Sequence, residues 1–162
     1  MIIVSDAVAL GIYAIGAYIM FQLDVSWGCT YLVYCLIIEI RVMRKSCIHC
    51  YYYDKLCGFG KGKIAALFFK RGDPKKFLER KITWKDLIPD LLVSLIPFAF
   101  GILMLTWEFD WLMLLLLTGL FALTTLGNGF VRGNIACKYC KQRELGCPAE
   151  KLFAGKKTSR LV

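Results

Sequence analysis

Six of the eight cysteines fall into two groups of identical spacing. Cys47, Cys50 and Cys57 lie in CIHCYYYDKLC, and Cys137, Cys140 and Cys147 lie in CKYCKQRELGC; both segments are C-x2-C-x6-C. A C-x2-C pair on a tight turn brings two sulfurs close enough to share a metal ion, the usual half-site for zinc and for iron–sulfur clusters. Two such pairs, each with a third cysteine at the same downstream distance, are far more specific than one. The thiols point to bound zinc, with an iron–sulfur cluster as the alternative, since soft thiolates hold both. The six-residue gap before the third cysteine differs from the common C-x2-C-x2-C run of cluster proteins, which favours zinc.

Each group is one ligand short of a closed tetrahedral zinc site. His49, the only histidine of the chain, sits between Cys47 and Cys50. Three arrangements are open. His49 folds back to complete the first site, or reaches across to the second group, or the two C-x2-C pairs join in one four-thiolate site that leaves Cys57 and Cys147 over. With the one histidine claimed by a cysteine knuckle, a histidine-based triad or acid–base pair is not expected. Neither a phosphate-binding loop nor a dinucleotide fingerprint is present. Cys29 and Cys35 lie in an apolar stretch and read as small packing residues.

The elements that must position these thiols are membrane-spanning helices. Apolar residues make up 58% of the 162, gathered in long blocks. Blocks at about Ile2–Leu23, Val25–Val42, Ile88–Trp107 and Trp111–Val131 each approach or exceed the roughly 18 residues that mark a span. Helices are expected because backbone groups in hydrocarbon must be satisfied internally. The fold class expected is therefore an all-α integral membrane protein of four transmembrane helices.

The charges orient it. The net charge is +9, and every Lys and Arg lies between Arg41 and Lys85 or between Arg132 and Arg160. The short connectors around Asp24 and around Glu108 and Asp110 carry none. By the positive-inside rule, the central loop, both termini and both cysteine groups lie on the cytoplasmic side of a cell membrane. Basic residues of this kind serve topology and lipid contact, so nucleic acid is not the expected partner. Trp27, Trp107 and Trp111 fall at the outer ends, where indoles settle. The first block lacks a basic leader and reads as a retained helix.

The ninety-residue offset between the cysteine groups implies a duplication. Residues 1–87 and 88–162 each hold two spans, a cysteine knuckle and a basic tail, and equal orientation of the copies implies a pseudo-two-fold axis along the membrane normal. Such an axis brings the two knuckles together under the bundle. Local signals add detail. Asp73 with Pro74 can cap a helix, and Thr83 with Asp86 resembles a capping box. Ile64 to Phe69, followed by Lys70 and Arg71, suits a membrane-surface segment. Pro97 should kink the third span. Small residues from Ala7 to Ala17 suit close helix packing within the bundle. Glu39 is expected to pair with Arg41 or Arg44 at the interface. The expectation for function is a membrane-anchored metal-binding module that serves a larger membrane complex as an accessory, assembly or regulatory subunit. Redox action on that complex, and metal transport or donation, are the alternatives.

Overall fold

The computed structural model describes residues 2–80, 83–131 and 140–148. Helices α1 (Ile2–Leu23), α2 (Val25–Lys45), α3 (Lys61–Phe68), α4 (Pro74–Leu78), α5 (Trp84–Trp107), α6 (Trp111–Phe130) and α7 (Lys141–Glu144) follow in order, with a 3-10 turn at Cys47–His49. No strand occurs among the described residues. Four helices, α1, α2, α5 and α6, are long and apolar enough to cross a membrane. The first matches the expected block end for end. The second runs three residues further, to Lys45, and the third starts four residues earlier, at Trp84. Both extensions are polar turns at the basic end of the bundle.

The acidic connectors at the opposite end have a local purpose. Asp24 Oδ1 accepts from Ser26 N at 2.7 Å, and Asp110 Oδ1 accepts from Leu112 N at 3.0 Å. Each caps the first turn of the helix that follows, where a carboxylate also suits the helix dipole. Asp73 does the same for α4, accepting from Lys75 N at 2.9 Å with Pro74 at the first helical position. Thr83 departs from the expected capping box. Its hydroxyl makes no bond to a helix N–H and donates to Asp86 Oδ2 at 3.2 Å instead.

Helices α1 and α5 each pack against the other three long helices. One buried cluster joins α1 to α6 through Ile12, Ile19, Met113, Leu117 and Leu120; another joins α1, α2 and α5 through Met20, Tyr31, Cys35, Ile38 and Val93. Outward faces carry Leu10, Leu36, Leu91, Leu115 and Phe121, all exposed, as lipid contact requires. Since lipid is as apolar as leucine, close approach must hold the helices together. Gly16 supplies it: a Cβ there would overlap the Tyr31 hydroxyl and lie 3.2 Å from Pro97 Cγ. Of the small residues of α1, Gly16 is buried in the bundle, whereas Ala7 and Ala14 are exposed.

Two prolines interrupt the backbone ladder of α5. Proline lacks an N–H, so each frees the carbonyl four residues earlier. Pro97 frees Val93 O, and the Tyr31 hydroxyl donates to it at 2.8 Å. Pro89 frees Lys85 O, which Arg41 Nη2 approaches at 3.4 Å. Residues of α2 therefore satisfy both openings, as a membrane interior demands. In α6 a π-helical stretch spans Leu123–Gly127, where Thr124 and Thr125 hydroxyls donate back to Leu120 O and Phe121 O, each at 2.7 Å. Threonine back-bonding of this type weakens the regular ladder, and the sequence reading did not anticipate the bulge.

Candidate cysteine site at the basic end of the bundle

The first cysteine segment is a continuation of α2. After Ser46 the chain tightens into the 3-10 turn, and Cys50 N donates to Cys47 O at 3.2 Å, closing the C-x2-C loop. Tyr53 N then donates to Cys50 O at 3.1 Å. In the second segment Cys140 precedes α7, and Arg143 N donates to Cys140 O at 3.0 Å. The backbone bond after Cys140 is thus the one found after Cys50, ninety residues on. Gly146, at φ +99°, turns the chain into Cys147 in a left-handed conformation that favours glycine.

The two segments are in contact. Gln142, on α7 and only 4% exposed, accepts from Tyr51 N at 2.8 Å through Oε1, and the Cys50 thiol donates to the same oxygen at 3.7 Å. Lys141 N donates to the Tyr52 hydroxyl at 3.1 Å. Burial pushes the Cys50 thiol up from its ordinary pKa, with Cys140, Cys57 and Cys147 adding to the effect. Burial does the same to Cys140, with Cys147 and Cys57 adding to it. Cys47 lies within electrostatic reach of Cys57 and Cys50. Five of the six spaced cysteines are described, and all five are partly buried free thiols. Cys137 lies outside the described residues. Among the described residues, no three His, Cys, Asp or Glu side chains converge closely enough to hold a metal ion.

His49 faces a different part of the loop. Its ring packs on Gly72, where a Cβ would overlap the imidazole, and Nδ1 lies 3.0 Å from Asp73 O. With a carbonyl as partner Nδ1 is the donor, so Nε2 is the ring nitrogen left to meet a metal. Of the remaining cysteines, Cys35 is buried in the α1–α2–α5 cluster and Cys29 is exposed on α2.

Ion pairs tie this region to the ends of the spans. Glu39 pairs with Lys61 at 2.7 Å and accepts from the Tyr13 hydroxyl. Its partner is thus neither Arg41 nor Arg44, because positions two and five apart do not share a helix face. Arg41 turns instead to Asp86, at 3.3 Å, and to Asp90, at 3.7 Å. Lys45 at 3.2 Å and Arg80 at 3.4 Å complete a cationic ring around Asp86. Arg80 also donates to Lys45 O and Ser46 Oγ, both at 2.9 Å, at the base of the cysteine turn.

Sequence reasoning found the thiols but missed Gln142, Lys61 and Asp86 as the residues that place them. Gln142 stands in a polar run, KQRE, whose composition suggests a solvated turn. Only the facing of α7 onto residues 50–52 reveals its burial. No family model, curated protein or solved structure matches the chain.

Proposed function

We propose that this chain is a membrane-anchored metal-binding module, with both cysteine knuckles on the cytoplasmic side of a cell membrane. Cys47, Cys50, Cys57, Cys137, Cys140 and Cys147 would supply the thiolates, and His49 offers its Nε2. The observation that carries the reading is the contact between the segments: buried Gln142 accepts from both Tyr51 N and the Cys50 thiol, and so joins the stretch that carries Cys140 and Cys147 to the one that carries Cys47, Cys50 and Cys57. Reduced thiols gathered in a cytosolic setting are donors for zinc rather than precursors of structural disulfides. Zinc would add binding energy to the folding of a loop too small to hold a core of its own. The tandem repeat is supported by the shared spacing and by the matching backbone bonds at Cys50 and Cys140.

The use of such a module lies in what it docks to. The reading is of an accessory, assembly or regulatory subunit of a larger membrane complex that receives the basic, metal-ordered face. Metal analysis of protein purified without oxygen, with a visible spectrum, tests it. Colourless protein with bound zinc supports the structural module. Brown protein with iron moves the assignment to cluster-based redox action. Protein without metal overturns the reading and leaves the thiols themselves as the redox group. Orientation is tested separately in a Cys29→Ser background, where an impermeant thiol reagent applied to intact cells should leave Cys47 and Cys140 unlabelled.

A further inference from the structure

Helix α3 divides into two faces of opposite character. Gly62 and Ala65 are buried; a Cβ at Gly62 would overlap the carbonyl oxygens of Tyr52 and Lys55, so the helix backbone presses directly on the cysteine loop. Ile64, Leu67 and Phe68 lie on the other side, and Leu67 and Phe68 are 80% and 73% exposed. Positions i, i+3 and i+4 form one helical face, so these three side chains make a single apolar strip. Exposed cations surround it: Lys63 on the helix itself, Lys70 and Arg71 just beyond it, and Lys75 and Lys76 on α4. None of these five is in a salt bridge among the described residues. The only acid between Lys61 and Leu78 is Asp73, whose carboxylate is already used in capping α4.

The depth of α3 says what meets this strip. Lys61, its first residue, pairs with Glu39. Glu39 lies six residues before the end of α2, about 9 Å down the helix axis at about 1.5 Å per residue. Gly60, which adopts φ +64°, lies against the first turns of α1: a Cβ there would be 3.2 Å from Asp6 Oδ2 and 3.3 Å from Ile2 Cγ2. The helix therefore begins level with the first turns of α1 and the last turns of α2, where the bilayer surface must lie. From the apolar strip, its unpaired cationic border and this depth, we infer that α3 lies in the plane of the membrane surface, with Ile64, Leu67 and Phe68 among the upper acyl chains. Lys63, Lys70, Arg71, Lys75 and Lys76 bind anionic lipid headgroups of the leaflet on the basic side. This is the arrangement of an amphipathic interfacial helix, whose hold combines apolar burial with attraction to acidic lipid. Because Gly62 of α3 presses on the loop between Cys50 and Cys57, lipid contact also fixes the cysteine region against the membrane. The inference does not depend on a bound metal.

Hydrogen–deuterium exchange on the full chain in nanodiscs tests it, comparing phosphatidylcholine alone with a mixture containing phosphatidylserine. Exchange over residues 61–69 should slow at least about fivefold in the acidic discs, the effect expected of a single basic residue near such a surface. A variant carrying Leu67→Glu and Phe68→Glu should lose that slowing while α1, α2 and residues 47–57 keep their protection, which shows that the variant is folded. Equal exchange in both discs overturns the inference, as does a variant that behaves like the parent. Slowing that depends on protein concentration rather than lipid charge also overturns it and assigns the strip to a second copy of the chain.

Discussion

Replacing Tyr31 with Phe should destabilise the bundle, and replacing Pro97 with Ala should remove most of that penalty. The reasoning is local. Pro97 has no N–H to give to Val93 O, and the Tyr31 hydroxyl fills the vacancy at 2.8 Å. Tyr31 is 3% exposed and Val93 5%, so no water replaces the hydroxyl when it is removed. An orphaned buried acceptor costs about 1–3 kcal/mol. Interhelical hydrogen bonds in membranes measure lower, averaging about 0.6 and reaching about 1.7 kcal/mol. The expected loss for Tyr31→Phe is thus about 1–2 kcal/mol. In the Pro97→Ala background a backbone N–H returns to Val93 O, and the same substitution should cost less than about 0.5 kcal/mol. The double-mutant cycle is read by reversible unfolding in mild detergent, with the coupling energy as the quantity of interest. Additive effects, with the Tyr31→Phe penalty unchanged by Pro97→Ala, would refute the account of how α5 tolerates a proline.

The remaining expectations concern packing and the cysteine site. Gly16→Ala should lower stability by about 1–3 kcal/mol through overpacking against Tyr31 and Pro97. Gly129→Ala, with nothing within 4 Å, should be neutral or mildly stabilising in the same melts. Gln142→Leu leaves Tyr51 N without its acceptor, so the contact between segments should open about fivefold or more, reading about 1–3 kcal/mol as population. Faster alkylation of Cys50 and Cys140 reports it, and unchanged rates would show that Gln142 is not the latch. Burial raises the Cys50 and Cys140 thiols, so zinc must displace their protons, and apparent affinity should climb about tenfold per pH unit for each proton released. Competition titrations on either side of neutrality check this, and a flat profile would sink the thiolate assignment. In metal-free protein the same raised thiols contribute stability that is complete below about pH 8.5 and is lost as pH rises through their folded values.

What the sequence could reveal followed from physical range. A span is a property of about twenty consecutive residues, and the end of α1 is legible because Asp24 closes one apolar block and caps the next helix. The Asp73–Pro74 start was equally local, since cap and helix are adjacent in the chain. Charge partners were not. Glu39 has two cations within five residues, yet pairs with Lys61, twenty-two positions away, because helix geometry turns its neighbours to other faces. The proline in the third span was visible as an interruption, but the hydroxyl that repairs it comes from position 31 on a different helix. Both cysteine groups could be read from spacing alone. Their contact through Gln142 depends on how α7 meets residues 50–52, which no local pattern encodes.

The bundle and the cysteine region form one mechanical unit, because each connection between them ends on a span. Glu39 of α2 holds Lys61 at the start of α3, and Asp86 of α5 gathers Arg41, Lys45 and Arg80. Arg80 in turn holds the carbonyl of Lys45 and the hydroxyl of Ser46, one residue before Cys47. A shift of α5 against α2 would therefore pull on Asp86, and through Arg80 on the turn that presents the first thiols. The converse follows from the same bonds: ordering the cysteine turn favours the pairing of α2 with α5 that Tyr31 and Arg41 already secure at the two prolines. Coupling of this kind is reciprocal when the two sites share one set of contacts. A metal held by the thiols would then stabilise the helix bundle, and a partner gripping the bundle would alter the hold on the metal. Under the function proposed above, that reciprocity would give the subunit a physical means of reporting metal occupancy to its complex.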